Sequence, residues 1–248
     1  MQRILGVIPA RLESARLPGK PMRRIAGRPM IAWVYERTRQ ATSLQGLLVA
    51  TDSPEIETYC RAQKIPVMMT SRAHRSGTDR VVEVMAHEPA DIYVNIQGDE
   101  PMITPDHMER LLRPFEGHAG AEVSTLKVAL DAENARDPNQ VKVVTDRKGH
   151  ALYFSRAPIP YGGDADSPAR YYKHLGIYAF TAGALGMFHG LAPGPLEQSE
   201  RLEQLRWLEN GIPMVVVETP HDTIGVDTEE DLAKVEAYFR GLEQKPER

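Results

Sequence analysis

Residues 4–21, ILGVIPARLESARLPGKP, carry the reading on which the fold turns. Leu5, Val7 and Ile8 form a short apolar run suited to a buried strand, and Pro9 closes it because proline has no N–H to give a ladder. Beyond the strand, Arg11, Arg16, Gly19 and Lys20 crowd into a single loop. A glycine lets backbone N–H groups approach an anion, while arginine and lysine neutralise it. The chemistry suits a nucleoside triphosphate, although Arg, Pro and Gly also compose ordinary solvated loops. A Walker A loop would need Ser or Thr after Lys20, where Pro21 stands, and no GxGxxG follows the strand.

Outward from this stretch, apolar runs alternate with amphipathic ones. Strands over residues 4–8, 46–50, 65–69 and 92–96 interleave with helices over 30–40, 55–63, 78–86 and 104–115. Such alternation predicts an α/β fold, a mostly parallel, Rossmann-like sheet flanked by helices, in a single domain spanning residues 1–248. Ser53 followed by Pro54, and Thr104 followed by Pro105, read as helix N-caps with proline in the first turn. After residue 121 the rhythm breaks into extended segments over 123–128 and 141–145. A Gly-, Asp- and Pro-rich loop at 162–168, a strand at 175–180, a helix at 195–210, a strand at 214–218 and a closing helix at 228–242 complete the pattern.

Composition narrows the function classes. The 248 residues carry a formal charge of −4, so a general nucleic-acid binder, which needs net positive charge to displace counterions, is disfavoured. Cys60 is the only cysteine, which excludes an intrachain disulfide and any CxxC metal or redox pair. No apolar run approaches the roughly 18 residues of a membrane span, and the chain enters its first strand without a secretory leader; the expectation is a soluble cytoplasmic protein.

Two segments place carboxylates where chemistry happens in such folds. In YVNIQGDEP, residues 93–101, a buried strand ends in Gln97, Gly98, Asp99 and Glu100, and ligands of open α/β sheets sit at the carboxyl ends of strands. Carboxylates there suit Mg²⁺, a hard cation that bridges to substrate phosphates. The alternative is a plain turn with Asp99 as its cap. In IGVDTEED, residues 224–231, Asp227 could pair with Asp99 across the pocket; equally, Asp227 or Thr228 could cap the last helix, with Glu230 or Asp231 completing a capping box. His87, His107, His118, His150, His189 and His221 show no ligand spacing and read as surface or loop residues, so no zinc site is expected.

These segments, taken with SGTDR (76–80), DPNQVKVV (137–144, Asp137 standing where the family has Asn), ALYFSRAPIP (151–160), KHLGIYAF (173–180), LEQLRWLENG (202–211) and GVDTEEDL (225–232), resemble the 3-deoxy-manno-octulosonate (Kdo) cytidylyltransferases over nearly the whole chain. The first loop is shared with wider sugar cytidylyltransferases, while YFSRAPIP, HLGIY and LEQLR are narrower. The resemblance implies a nucleotide-diphospho-sugar transferase-like fold and transfer of CMP from CTP to the anomeric hydroxyl of Kdo, yielding pyrophosphate and CMP-Kdo for lipopolysaccharide synthesis. It implies that Arg11, Arg16 and Lys20 hold the triphosphate and that Asp99 and Asp227 ligand Mg²⁺. Ala10, Arg11, Ser14, Ser76, Gly77, Arg80 and Gln97 would complete the CTP site, and Arg156, His174, Tyr178, Glu203 and Gln204 would meet the sugar acid.

Each of these also has a plainer reading. Residues 76–79 could simply cap a helix, His174 and Tyr178 could face the core, and a helix carries Glu203 and Gln204 by default. The resemblance further implies a homodimer, whose contacts we place in the extended region of residues 121–175. Tyr161 stands where many relatives carry Trp, in a short version of a variable loop, which leaves dimer contacts and loop closure open. Alternatives to Kdo are another acidic sugar, such as 8-amino-Kdo or a sialic acid, or a non-catalytic relative that binds nucleotide.

Overall fold

The computed structural model describes residues 2–13, 17–74, 76–116, 120–162 and 169–243. Ser14, Arg16 and His118 therefore lie outside the described residues. The chain forms two compact units, residues 1–108 with 223–248 and residues 109–222.

The first unit runs through β1 (Ile4–Ala10), a hairpin of β2 (Arg24–Ile25) and β3 (Arg28–Pro29), α1 (Met30–Thr38), β4 (Gly46–Thr51), α2 (Pro54–Ala62), β5 (Val67–Met69), α3 (Gly77–His87), β6 (Ile92–Asn95) and α4 (Pro105–Leu112). β6, β1, β4 and β5 lie side by side, and every pair is parallel. Leu5, Val7 and Ile8 are buried, as strands covered on both faces must be. Register pairs Val7 with Asn95, so the loops that follow β1 and β6 leave the same edge of the sheet. Ser53 caps α2, its hydroxyl accepting from Ile56 N–H, with Pro54 in the first turn as expected.

The second unit contains β7 (Val123–Leu130), β8 (Lys142–Thr145), β9 (Ala151–Ser155), β10 (Tyr171–Thr181), α5 (Ala182–His189), α6 (Pro195–Glu200), α7 (Leu205–Glu209) and β11 (Met214–Glu218). β10 pairs antiparallel with β7 and with β8, β8 pairs antiparallel with β9, and β11 lies parallel to β7. The break in rhythm after residue 121 is thus a change from parallel to mixed pairing. β9 and α5 were not expected. The helix expected over 195–210 is two helices: Arg201 takes a left-handed backbone at φ 54°, and Glu209 reaches back to accept the N–H groups of Leu196 and Glu197 at the start of α6. The ion pair of Arg206 with Glu197 closes this fold-back at 2.6 Å.

The chain then returns to the first unit through α8 (Glu229–Glu243). Val235 and Phe239 of α8 pack with Leu17, Ile25, Met30 and Val226 in one buried cluster, and Phe239 lies 4.3 Å from the Trp33 ring between centroids. Burial of this apolar set, at about 25 cal/mol per Å², holds the start of α8 beside the loop after β1. His107, expected at the surface, is fully buried, with Nδ1 bonded to Thr104. No helix among the described residues is long and apolar enough to cross a membrane.

Candidate active site

A cavity of about 790 Å³ opens in the first unit where the loops after β1 and β6 meet the loop before α8. Gly98 makes the meeting possible. A Cβ there would stand 2.8 Å from the carbonyl oxygen of Pro9, a distance real side chains do not tolerate, so the two loops approach as closely as they do only with glycine. Val226 N–H donates to Asp99 O at 2.9 Å, which ties the third loop to the second. Gly19, at φ 67°, turns the first loop into a single 3₁₀ turn that begins at Lys20.

The result places Lys20 Nζ 2.6 Å from Asp99 Oδ2 and 2.8 Å from Asp227 Oδ1. Burial pulls the Lys20 pKa down, but the charges and hydrogen bonds of Asp99 and Asp227 outweigh it, and the net shift is upward. Lys20 is 14% exposed against 43% for Asp227, so the ammonium is the desolvated partner. Thr228 caps α8 with its side chain: its hydroxyl accepts from Asp231 N–H, while Asp231 Oδ2 accepts from the N–H groups of both Thr228 and Asp227. The Asp227 carboxylate meets Lys20 in the cavity wall. Two carboxylates that close on one cation are residues that could hold a hard metal ion.

Of the nucleotide-side residues expected from sequence, Ala10, Arg11, Lys20, Ser76, Gly77, Arg80, Gln97, Asp99 and Asp227 all line this cavity. Ser76 also caps α3 through a reciprocal pair with Asp79, so the capping reading of residues 76–79 is realised alongside its place in the wall. Arg80 is nearly fully buried. Its guanidinium donates to Thr70 Oγ1 at 2.7 Å, to Ser71 O at 3.2 Å and to Asp52 Oδ2.

The residues expected to meet the sugar lie in the second unit. His174, on β10, is buried with Nε2 2.9 Å from Thr125 Oγ1 and Nδ1 3.4 Å from Gln204 Nε2. Burial pushes its pKa down to about 3, so the imidazole is neutral. Tyr178 lies beside it with ring centroids 5.5 Å apart and the planes tilted by 51°, and its phenol is held well above the ordinary range by burial and then by the Glu203 charge. Glu203 and Gln204 sit in the connection between α6 and α7. His174, Tyr178, Glu203 and Gln204 thus gather together, while the Arg156 guanidinium donates to Glu200 O at 2.8 Å and Pro138 O at 3.0 Å.

The cytidylyltransferase family model matches residues 5–219, a span that takes in both the loop after β1 and the sugar-side segments. The chain belongs to the cytidylyltransferase family. It is 54% identical to a 3-deoxy-manno-octulosonate cytidylyltransferase of Acidobacterium capsulatum over 242 residues, 98% of each chain. It is 50% identical to the corresponding protein of Koribacter versatilis, over 95% of this chain and 90% of that one. A solved structure of CMP:2-keto-3-deoxy-manno-octonic acid synthetase complexed with CTP superposes with a TM-score of 0.93 at 46% identity, covering 97% of this chain and 99% of that one.

This cytidylyltransferase also lines its cavity with Pro9, Glu13, Pro21, His74 and Gly98, none of which was expected as a binding residue. Gly98 was legible as the glycine preceding Asp99. His74 owes its place to a partner nine residues away, Glu83, whose carboxylate meets its Nε2.

Proposed function

We propose that this cytidylyltransferase transfers CMP from CTP to the anomeric C2 hydroxyl of Kdo, with release of pyrophosphate. The observation that carries the reading is the convergence of Lys20, Asp99 and Asp227 at the carboxyl edge of a parallel sheet. A likeness at 46% identity to a synthetase holding CTP supports it.

In the reaction the hydroxyl oxygen attacks the α-phosphorus, the bond to the β-phosphate oxygen breaks, and the hydroxyl proton is lost. Negative charge accumulates on phosphate oxygens, so what the chain must supply is fixed positive charge and alignment. Arg11 and Lys20 face the triphosphate in this reading, and Lys20 exchanges its carboxylate partners for phosphate oxygens. Gln97, Ser76, Gly77 and the Ala10 backbone bound the nucleoside. Ser14 and Arg16, outside the described residues, keep their place in the proposal through the loop motif alone.

Asp99 and Asp227 would hold Mg²⁺, whose oxygen-ligand habit fits two carboxylates, and the ion would supply charge neutralisation at the phosphates. Arg156, His174, Tyr178, Glu203 and Gln204 would bind the sugar acid. A neutral His174, whose ring nitrogens meet Thr125 and Gln204, would orient Gln204, and Glu203 would accept from Kdo hydroxyls. The setting would be the reducing cytoplasm, in keeping with a single, buried Cys60. We place the homodimer contact within residues 121–175, where Leu152 and Tyr161 are large and exposed; a monomeric mass by light scattering would contradict it.

The test is pyrophosphate release from CTP and Mg²⁺, which should begin on addition of Kdo and proceed more slowly with a sialic acid. Folded protein that released none would remove the reading.

A further inference from the structure

α3 holds the segment that precedes it from two successive positions on one face. Arg80 donates to Thr70 Oγ1 and Ser71 O, and Glu83, one turn on, accepts from Ser71 N–H at 2.9 Å. Both backbone polar groups of Ser71 are therefore fixed by α3 side chains. The same Glu83 carboxylate oxygen meets His74 Nε2, and His74 lines the cavity while Glu83 does not. With Nε2 committed to Glu83, the ligand-facing chemistry left to His74 is its ring face and Nδ1.

We propose that Glu83 is a positioning residue for the nucleotide, acting through His74, which it fixes in the cavity wall beside Ser76 and Gly77 so that the imidazole contacts the nucleoside part of CTP. The inference rests on the reading of this cavity as the CTP site. Burial raises the Glu83 pKa, but Ser71 N–H and His74 outweigh it and the net shift is downward, which keeps the carboxylate ionised as a strong acceptor. An ionised acceptor with two donors on one oxygen defines the ring plane more tightly than a solvated glutamate would.

The experiment is calorimetric titration of CTP into wild type, His74→Ala, Glu83→Ala, Glu83→Gln and the double alanine variant, with KM for Kdo measured alongside. Glu83→Ala should weaken CTP by about tenfold and leave KM for Kdo within about twofold. Glu83→Gln, whose amide oxygen can still accept from Ser71, should recover most of the affinity. The double variant should be no weaker than the weaker single variant, because the two residues act along one path. On wild type, the His74 ring resonances should shift as CTP is added, a readout independent of whether any variant folds. Glu83→Ala binding CTP like wild type, losses that multiply in the double variant, or a His74 ring indifferent to CTP would each overturn the proposal. Wild type that bound no CTP would instead remove the reading beneath it.

Discussion

Lys20 is the residue on which the proposed chemistry depends, and its position shows both the reach and the limit of sequence reasoning. A lysine after glycine in a loop following a strand was legible as an anion grip. That its ammonium lodges between two carboxylates was not, because Asp99 and Asp227 lie 79 and 207 residues away and no local spacing encodes the meeting. Lys20→Ala should weaken use of CTP by about 1.5 to 3 kcal/mol, the worth of a hydrogen bond to a charged group, read as the change in kcat/KM for CTP. It should also leave Asp99 and Asp227 facing each other without a counter-charge. Asp99→Ala should abolish nearly all turnover with the fold kept by circular dichroism, and an unchanged rate would take Asp99 out of the metal site.

His174 allows a test of the second unit that needs no substrate. Its folded pKa, about 3, lies below the value of about 6.5 for an unfolded histidine, so the unfolded chain takes up the proton first. The stability that depends on a neutral His174 is complete above about pH 6.5 and is lost as pH falls toward 3. Denaturant unfolding across that window should show a shallower loss in His174→Gln than in wild type. Equal slopes would mean that the imidazole is already charged in the folded state.

At the scale of elements, the first half of the chain was readable because its strands and helices keep their own periods. The observed β1, α1, β4, α2, α3 and β6 fall within a few residues of the expected spans. The second half was less so. α5, AGALGMFH, is a short apolar run with internal glycine that follows β10 directly, so neither period nor turn chemistry announces it. The amphipathic pattern over 195–210 continues across a backbone reversal because Glu209 and Arg206 satisfy α6 from outside it. Loop approach is likewise invisible in sequence until a glycine marks it, and Gly98 gives the element-scale prediction. Gly98→Ala must push the loop after β6 away from Pro9, at about 1 to 3 kcal/mol of stability by chemical denaturation, with Asp99 displaced and turnover falling more than stability. A variant as stable and as active as wild type would show that the close approach is not required.

For the molecule as a whole, the proposed nucleotide-side residues belong to one compact unit and the proposed sugar-side residues to the other. The net charge of −4 coexists with a basic loop after β1, so in the proposed function selectivity for a small anion comes from local placement and not from the overall field. Family membership was legible because motifs from both units occur in one chain; the sugar was legible only through the resemblance, since no single spacing specifies Kdo. The direct test of the central claim is phosphorus NMR of the product formed from CTP, Mg²⁺ and Kdo labelled with ¹³C at C2. The account expects pyrophosphate and a CMP ester in equal amounts, with phosphorus coupled to the labelled carbon; pyrophosphate without that coupling, or no ester at all from folded protein, would contradict it.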